Sequence, residues 1–399
     1  MIINVDFHIH SMYSGATSKD MNIANIAYYA KRKGIDVMGS GDILNIHWLN
    51  DFKGIEKIEE GLLKYKEMYF VLTTEVEDIK RVHHVLIFSS MSKVEEFREQ
   101  LLKKNNNLDT DGRPKLAMNG VELAELAKST GTMIGPAHAF TPWTAMYAYY
   151  NSIKELYGEY TDYVQFLELG LSADTDYADR IEEIRHLTFL TNSDAHSYHP
   201  NKIAREFNRL KVESIAFNNI KDAIQRRNGR GIVMNVGIPP QEGKYNETAC
   251  TRCFKHYTLA EAKALKWRCP ECKGIIKKGV RDRVEELATY KEPMHPEYRP
   301  PYMHLIPLIE IIAKSLNVSE SSTRVQDLWN SLIDKYGNEI KIMVDEPLSS
   351  ISTDIKVINA IQAFRNGQVK VKPGGGGQYG AVEILAREQL AGQTKLLDF

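Results

Sequence analysis

Two short stretches far apart in the chain carry the side chains best suited to chemistry: Val5-Asp6-Phe7-His8-Ile9-His10 and Asn192-Ser193-Asp194-Ala195-His196. Each sets two metal-binding groups two residues apart, just past a short apolar run that reads as a buried strand. Imidazole together with carboxylate is the ligand set of a hydrolytic metal centre, not of a calcium cage or an iron–sulfur cluster. Further candidates stand on or beyond other apolar runs: Asp42 after Val37-Met38, Glu75 after Val71-Leu72, His84 within Val82 to Phe88, and His138 after Gly135-Pro136-Ala137. Taken singly, each histidine is more often a satisfied packing residue. As a set, His8, His10, Asp42, Glu75, His84, His138, Asp194 and His196 are what a catalytic mouth built at strand ends requires. Asp194 and Glu75 are the catalytic candidates among them. No Ser/His/Asp or Cys/His arrangement competes for the role.

The elements that must position these residues alternate from residue 1 to about 235, short strand followed by amphipathic helix. Asp20 can cap a helix carrying Ile23, Ile26, Ala27 and Ala30 on one face, with Gly34 placed to end it. Asn119 to Gly131 repeats the design. Such alternation predicts an α/β fold with a parallel barrel, whose loops after the strands hold the function. Ile238-Pro239-Pro240 breaks the pattern, so a barrel domain is expected over 1–238 and a cysteine module over 244–283. A mainly helical C-terminal domain is expected over 300–390, with helices near 305–316, 324–336 and 354–366.

The 399 residues carry a net charge of −1, so any nucleic-acid surface must be a local patch. No apolar run approaches the ~20 residues of a membrane span, and the first residues lack the basic region of a signal peptide. All four cysteines fall between Cys250 and Cys272, which excludes a disulfide framework and points to a cytoplasmic protein.

Cys250-Thr251-Arg252-Cys253 and Cys269-Pro270-Glu271-Cys272, fifteen residues apart, have the spacing of a four-cysteine zinc ribbon with one closed, structural zinc site. From Lys244 to Arg283 eleven Lys/Arg stand against four Asp/Glu, about +7, with Tyr245, Phe254, Tyr257 and Trp267 interleaved. That composition suits backbone contact plus stacking, with Arg252, Lys255 and Lys278 as candidate DNA-binding residues. The alternative is a solvated clip between domains. Lys370 to Gly380 contains four successive glycines but no Gly-Lys-Ser/Thr of a P-loop. Gly375 and Gly376 would let bare backbone N–H groups approach a phosphate or an extruded base, with Tyr379 free to stack; a plain turn between strands is the alternative. Trp143, Tyr147, Tyr149 and Tyr150 fall at near-helical spacing and are expected mainly in core packing. The last residues, over 393–399, place Gln393, Leu396 and Phe399 as Gln-x-x-Leu-x-x-Phe, most of a sliding-clamp-binding box, so a PCNA-type clamp is an expected partner.

The ordered motifs Asp-x-His-x-His, Glu75, His84, Ala137-His138 and Ser193-Asp194-Ala195-His196 resemble those of the PHP (polymerase and histidinol phosphatase) family over residues 1–235. The resemblance implies a distorted (β/α)7 barrel and a phosphoesterase centre of two or three divalent ions, zinc or manganese, with magnesium as a further option. His8, His10, Glu75 and Asp194 would hold one ion, Glu75, His84 and His138 a second, and His196 would contribute to a third. Of the two adjacent histidines, His84 is chosen over His83 because it precedes Val85-Leu86 as the family histidine precedes its apolar pair. Glu168 reads as a residue that orients a ligand. At the third site the chain departs from the family, with Gly41-Asp42-Ile43 where relatives have Thr-Asp-His, and Ser14-Gly15-Ala16 where they have a ligand. Barrel, ribbon and glycine loop together resemble an archaeal family of PHP-type DNA repair endonucleases. That implies nicking of damaged DNA 5′ to uracil, hypoxanthine, xanthine or an abasic site, by metal-activated water, leaving 3′-hydroxyl and 5′-phosphate ends. The rivals are a small-molecule phosphatase of the same family and a non-catalytic DNA-binding scaffold.

Overall fold

A computed structural model describes residues 1–105 and 107–384. In chain order the strands are β1 (Ile2–Asp6), β2 (Val37–Gly39), β3 (Glu56–Glu59), β4 (Leu62–Tyr65), β5 (Met68–Glu77), β6 (His83–Phe88), β7 (Met133–Pro136), β8 (Phe166–Glu168), β9 (Thr188–Leu190), β10 (Phe207–Lys211), β11 (Gly231–Gly237), β12 (Ala249–Cys250), β13 (Ile276–Lys277), β14 (Tyr302–His304), β15 (Val369–Lys372) and β16 (Ala381–Ile384). β1 lies in the middle of a ten-stranded sheet, parallel to β2 and antiparallel to β10. β2 runs parallel to β5, while β6 and then β7 follow antiparallel. The α/β alternation is therefore present, but the sheet is mixed where the pattern predicts a wholly parallel one. The reason lies in the β5–β6 connection. A parallel return needs a crossover of a dozen or more residues, and here Asp78 closes a tight turn by accepting from Lys80 N and Val82 N, both at 2.8 Å. β8 and β9 form a separate parallel pair, brought to β1 through a bridge between Ile9 and Ala195.

Helix Ile23–Lys33 buries Ile23, Ile26, Ala27 and Ala30 and ends at Gly34 in the left-handed region, φ 102°. Its cap is Asn22, which accepts from Asn25 N, not Asp20. Helix Gly120–Thr130 opens with a capping box of Asn119 and Glu122. Of the aromatic group after His138, Tyr147 is buried as core, whereas Trp143 and Tyr149 are exposed.

The cysteine module is the two-stranded β12–β13 ladder with a short helix, Leu259–Ala264. Helices Leu308–Leu316, Thr323–Tyr336 and Ile355–Arg365 match the three predicted ones closely. The hairpin β15–β16 makes the glycine run a turn between two strands, the plainer of the two readings of that stretch. The chain does not leave the first sheet at residue 300, because β14 pairs with β11. A buried ion pair, Lys33 with Glu339, ties the first helix to the region after Thr323–Tyr336.

Candidate metal centre

The two stretches that open the argument are knitted directly together. Asp6, fully buried, accepts from Ser193 N (3.2 Å) and Ser193 Oγ (2.6 Å), and Asn192 Oδ1 accepts from Phe7 N (3.0 Å). Burial raises Asp6 to about 7 against the lowering pull of those Ser193 bonds. This staple sets the residues after β1 beside those after β9, and alternation aims His8 and His10 the same way.

Glu75 on β5 is the centre of the cluster. Its Oε1 lies 2.8 Å from His138 Nε2, 2.7 Å from His83 Nδ1 and 3.7 Å from His8 Nε2. Its Oε2 lies 3.4 Å from His10 Nε2 and 3.1 Å from Arg113 Nη1. Asp194 Oδ1 stands 3.1 Å from His10 Nε2, 3.8 Å from His8 Nε2 and 3.6 Å from His196 Nδ1. Three overlapping groups have their ligand atoms within 4.8 Å of one another: His8, His10 and Glu75; His10, Asp194 and His196; Glu75, His83 and His138.

Two of the eight predicted residues are not in these groups. His84 is replaced by its neighbour. In the β5–β6 register Glu77 faces His83 and Glu75 faces Val85, while Val76 faces His84. Directly opposed residues share a face of the sheet and successive ones alternate, so His83 shares the face of Glu75 and His84 points away. There His84 Nδ1 meets Tyr157 Oη at 2.8 Å and Nε2 faces Asp78 at 3.5 Å. Asp42 is close but spent. Its Oδ2 accepts from Ser11 N, Ser11 Oγ and Ser14 Oγ at 2.6, 2.7 and 2.9 Å, and its Oδ1 lies 3.1 Å from His10 Nδ1. It orients His10 instead of joining the cluster. Glu168 does the same for His8, at 2.9 Å from Nδ1, and is itself held by Asn192 Nδ2. A carboxylate accepting from Nδ1–H leaves the Nε2 lone pair free for a cation.

The fit to divalent ions rests on what is left unsatisfied. His8 Nε2 is buried without a hydrogen-bond partner, though two carboxylates face it just beyond bonding distance. Burial alone would raise the Glu75 and Asp194 carboxyls. Instead His83 and His8 around Glu75, and His10 and His196 around Asp194, hold both well below the usual range. Burial likewise opposes charge on His8, yet Glu168 and Glu75 raise it to about 9. Mutual dependence of this kind is what cations would replace. His138, Asp194 and Asp42 are non-glycine residues at positive φ, 28°, 47° and 48°, so the mouth also stores backbone strain.

A cavity of about 620 Å³ opens on the cluster, lined by His83, His138, Asp194 and His196 and by a basic outer wall of Arg113, Lys202, Arg205 and Lys244. Sequence reasoning missed His83 for want of register. It missed Arg113 because an arginine in a turn-rich loop carries no signal of its own. Tyr379 lines the same cavity, with Lys202 and Lys244 over its ring. The glycines before it follow the plain-turn reading. Gly374 N, Gly375 N and Gly377 N donate to Gln241 O, Gln378 O and Lys244 O, and Gly376 packs on the Cys250 carbonyl. Those donors are used within the fold, so the run serves backbone-to-backbone packing and leaves Tyr379 at the rim.

The sulfurs of Cys250, Cys253, Cys269 and Cys272 lie within 4.8 Å of one another. Tetrahedral thiolate with a ~2.3 Å metal–sulfur distance has edges of ~3.8 Å; Cys250–Cys272 and Cys253–Cys269 are at 3.4 and 3.6 Å. Arg252 and Lys255 are exposed on this module, the first donating to Cys272 O and the second paired with Glu271, while Lys278 is half-buried and pairs with Glu286. Gln393, Leu396 and Phe399 lie outside the described residues.

Solved structures resemble this chain over nearly its whole length. The chain is 46% identical to the lesion-specific endonuclease PfuEndoQ from Pyrococcus furiosus, with a TM-score of 0.92 over 98% of this chain and 99% of that one. It is 47% identical, with a TM-score of 0.93 over 97% and 98% of the two chains, to endonuclease Q in complex with a 27-mer duplex substrate carrying an abasic lesion at the active site. Residues 307–368 match the family described as the MJ0043 C-terminal domain. Uncharacterized protein MJ0043 of Methanocaldococcus jannaschii is 46% identical over 260 residues, which are 63% of this chain but only 32% of that protein, so the match spans about a third of that relative.

Proposed function

The chain belongs to the endonuclease Q family, and from that premise we propose that it is a metal-dependent DNA repair endonuclease. It hydrolyses the phosphodiester bond 5′ to uracil, hypoxanthine, xanthine or an abasic site and leaves 3′-hydroxyl and 5′-phosphate ends. The observation that carries this reading is the convergence of His8, His10, Glu75, His83, His138, Asp194 and His196 in three overlapping groups beside a cavity that Arg113, Lys202, Arg205 and Lys244 also line. The relative solved with abasic duplex at its active site supports the substrate.

In this reading the mixed sheet and the β8–β9 pair form a distorted PHP-type barrel over 1–238, with the zinc ribbon and the C-terminal helices as further domains. Two or three divalent ions, zinc first and manganese or magnesium next, are held by the seven residues, and one zinc by the four cysteines. Such ions supply water activation near neutral pH and neutralise charge building on the phosphate. The chain's own part is to orient: Asp42 turns His10, Glu168 turns His8, and Glu75 spans the groups. Lys202, Arg205 and Lys244 draw the strand to the mouth. Deaminated bases pair poorly, so extruding them from the duplex costs less, which favours damaged over intact DNA. A sliding clamp engages the 393–399 segment.

Asp194→Asn is expected to lower nicking of a uracil-containing duplex by ~100-fold or more while DNA affinity in a gel-shift assay stays near wild type. Release of phosphate from small esters with no nicking by the wild type would instead favour a phosphatase, and unimpaired nicking by the variant would remove the site.

A further inference from the structure

We infer that Arg113 binds the scissile phosphate, donating to a non-bridging oxygen whose negative charge grows as the bond breaks. The inference rests on the nuclease reading above.

The loop that carries Arg113 is fixed from several sides. Asp111 Oδ1 accepts from Arg113 N (3.0 Å) and from Gly15 N (3.2 Å), and Gly112 N donates to Tyr13 O (3.0 Å). On its far side Pro114 O accepts from Glu77 N on β5. Gly112 is pressed so closely on the buried face of the site that a Cβ there would stand 2.3 Å from Asp42 Oδ2 and 2.5 Å from Ser14 Oγ. Any side chain there would displace Asp42 or Ser14. The loop is thus built to bring the next side chain, Arg113, over the cluster.

There it is the only Arg or Lys, among the described residues, that pairs with Glu75 or Asp194. The guanidinium uses Nη1 on Glu75 Oε2 at 3.1 Å, its side chain is 26% exposed, and it lines the same cavity as His83, His138, Asp194 and His196. Its Nε is buried, whereas Nη2 makes no hydrogen bond and is not buried, so that donor is the one open to the cavity. A planar fork with one edge anchored and another donor unspent is suited to a phosphate oxygen, and the pairing to Glu75 fixes its direction. The other cations of the cavity touch none of these carboxylates. Asp42, whose oxygens are all engaged, offers no free ligand atom on this side. Arg113 therefore supplies the protein's own positive charge at the reacting end of the cavity.

The test uses the full chain loaded with metal and a duplex bearing one abasic site. Single-turnover nicking, DNA affinity and metal ions per chain are measured for the wild type, Arg113→Ala and Arg113→Lys. Arg113→Ala is expected to nick ~100-fold or more slowly, with metal content and DNA affinity retained and part of the rate restored by added guanidinium ion. Arg113→Lys, which keeps the charge but not the fork, should fall between. A wild-type rate in Arg113→Ala overturns the inference, as does a loss that tracks lost metal and resists guanidinium in both variants. A wild type that fails to nick abasic duplex would overturn the endonuclease reading itself, which distinguishes the two failures.

Discussion

His83 and His84 differ by one position and by everything that follows from it. His83 lies 2.7 Å from Glu75 and 3.3 Å from His138, while His84 faces Tyr157 and Asp78 beneath the sheet. His83→Ala is expected to lower metal content and nicking together, read by mass-spectrometric metal counting and a nicking assay. His84→Ala should keep its metals and its activity but lose about 1–3 kcal/mol of stability, because it strands the buried Tyr157 hydroxyl. Equal metal loss in both variants would show that the face assignment is wrong. Residue types pointed to six of the seven clustered side chains, because imidazoles and carboxylates recurring as a set at strand ends are hard to explain by packing. The seventh needed the register of β5 against β6, which a tight turn determines and which composition does not reveal. Asp42 was legible as important but not as an orienting residue, since only coordinates show its oxygens occupied by Ser11 and Ser14.

At the scale of elements, the glycine run shows how a chemically suggestive motif can be absorbed by packing. Gly376 has φ 65° and sits where a Cβ would come 2.2 Å from the Cys250 carbonyl oxygen, on the first knuckle of the cysteine module. Gly376→Ala therefore forces both a strained backbone and a backbone clash, and is expected to destabilise by well over ~1 kcal/mol. The damage should be local. The zinc proposed for the four cysteines should leave faster on addition of a chelator, followed with a colorimetric zinc indicator, while any metal proposed for the His8–Glu75–Asp194 cluster is retained. Unchanged zinc release would mean that loop and ribbon are not coupled. Helix positions were legible from periodicity and caps, whereas the β15–β16 hairpin was legible only as one of two readings, since Val369-Lys370-Val371-Lys372 is too short and half-charged to separate strand from loop. The mixed sheet escaped for a similar reason: strand direction depends on connection length, and the Asp78 turn looks like any polar loop until its bonds are seen.

Across the whole molecule, the parts are joined by buried charge as well as apolar contact, and one such junction gives stability a pH dependence. Glu242 lies in the turn Pro240–Glu242 that precedes the cysteine module, and Glu310 lies on helix Leu308–Leu316. Glu242 is 8% exposed and its Oε2 has no partner. Burial first, then Glu310, raises it to about 8 despite the nearby Lys314, Arg205 and Lys202. Burial and then Glu320 raise Glu310 to about 7 against Lys202, Lys314 and Arg205. Both groups hold protons more tightly folded than unfolded, so their effect is absent below the ordinary value of 4.5, and stability is lost as pH climbs from there through about 7 and 8. Glu242→Gln removes the larger contribution without emptying the site. It should be more stable than the wild type at pH 9, with the difference shrinking towards pH 5, as read from urea melts at the two pH values. The turn matters beyond stability, because Gly380 N donates to Glu242 O and Tyr379, its neighbour, lines the metal cavity. If the two urea curves shift in parallel at both pH values, Glu242 is ionised in the folded protein, and the junction between turn and helix is held by its cations rather than by a shared proton.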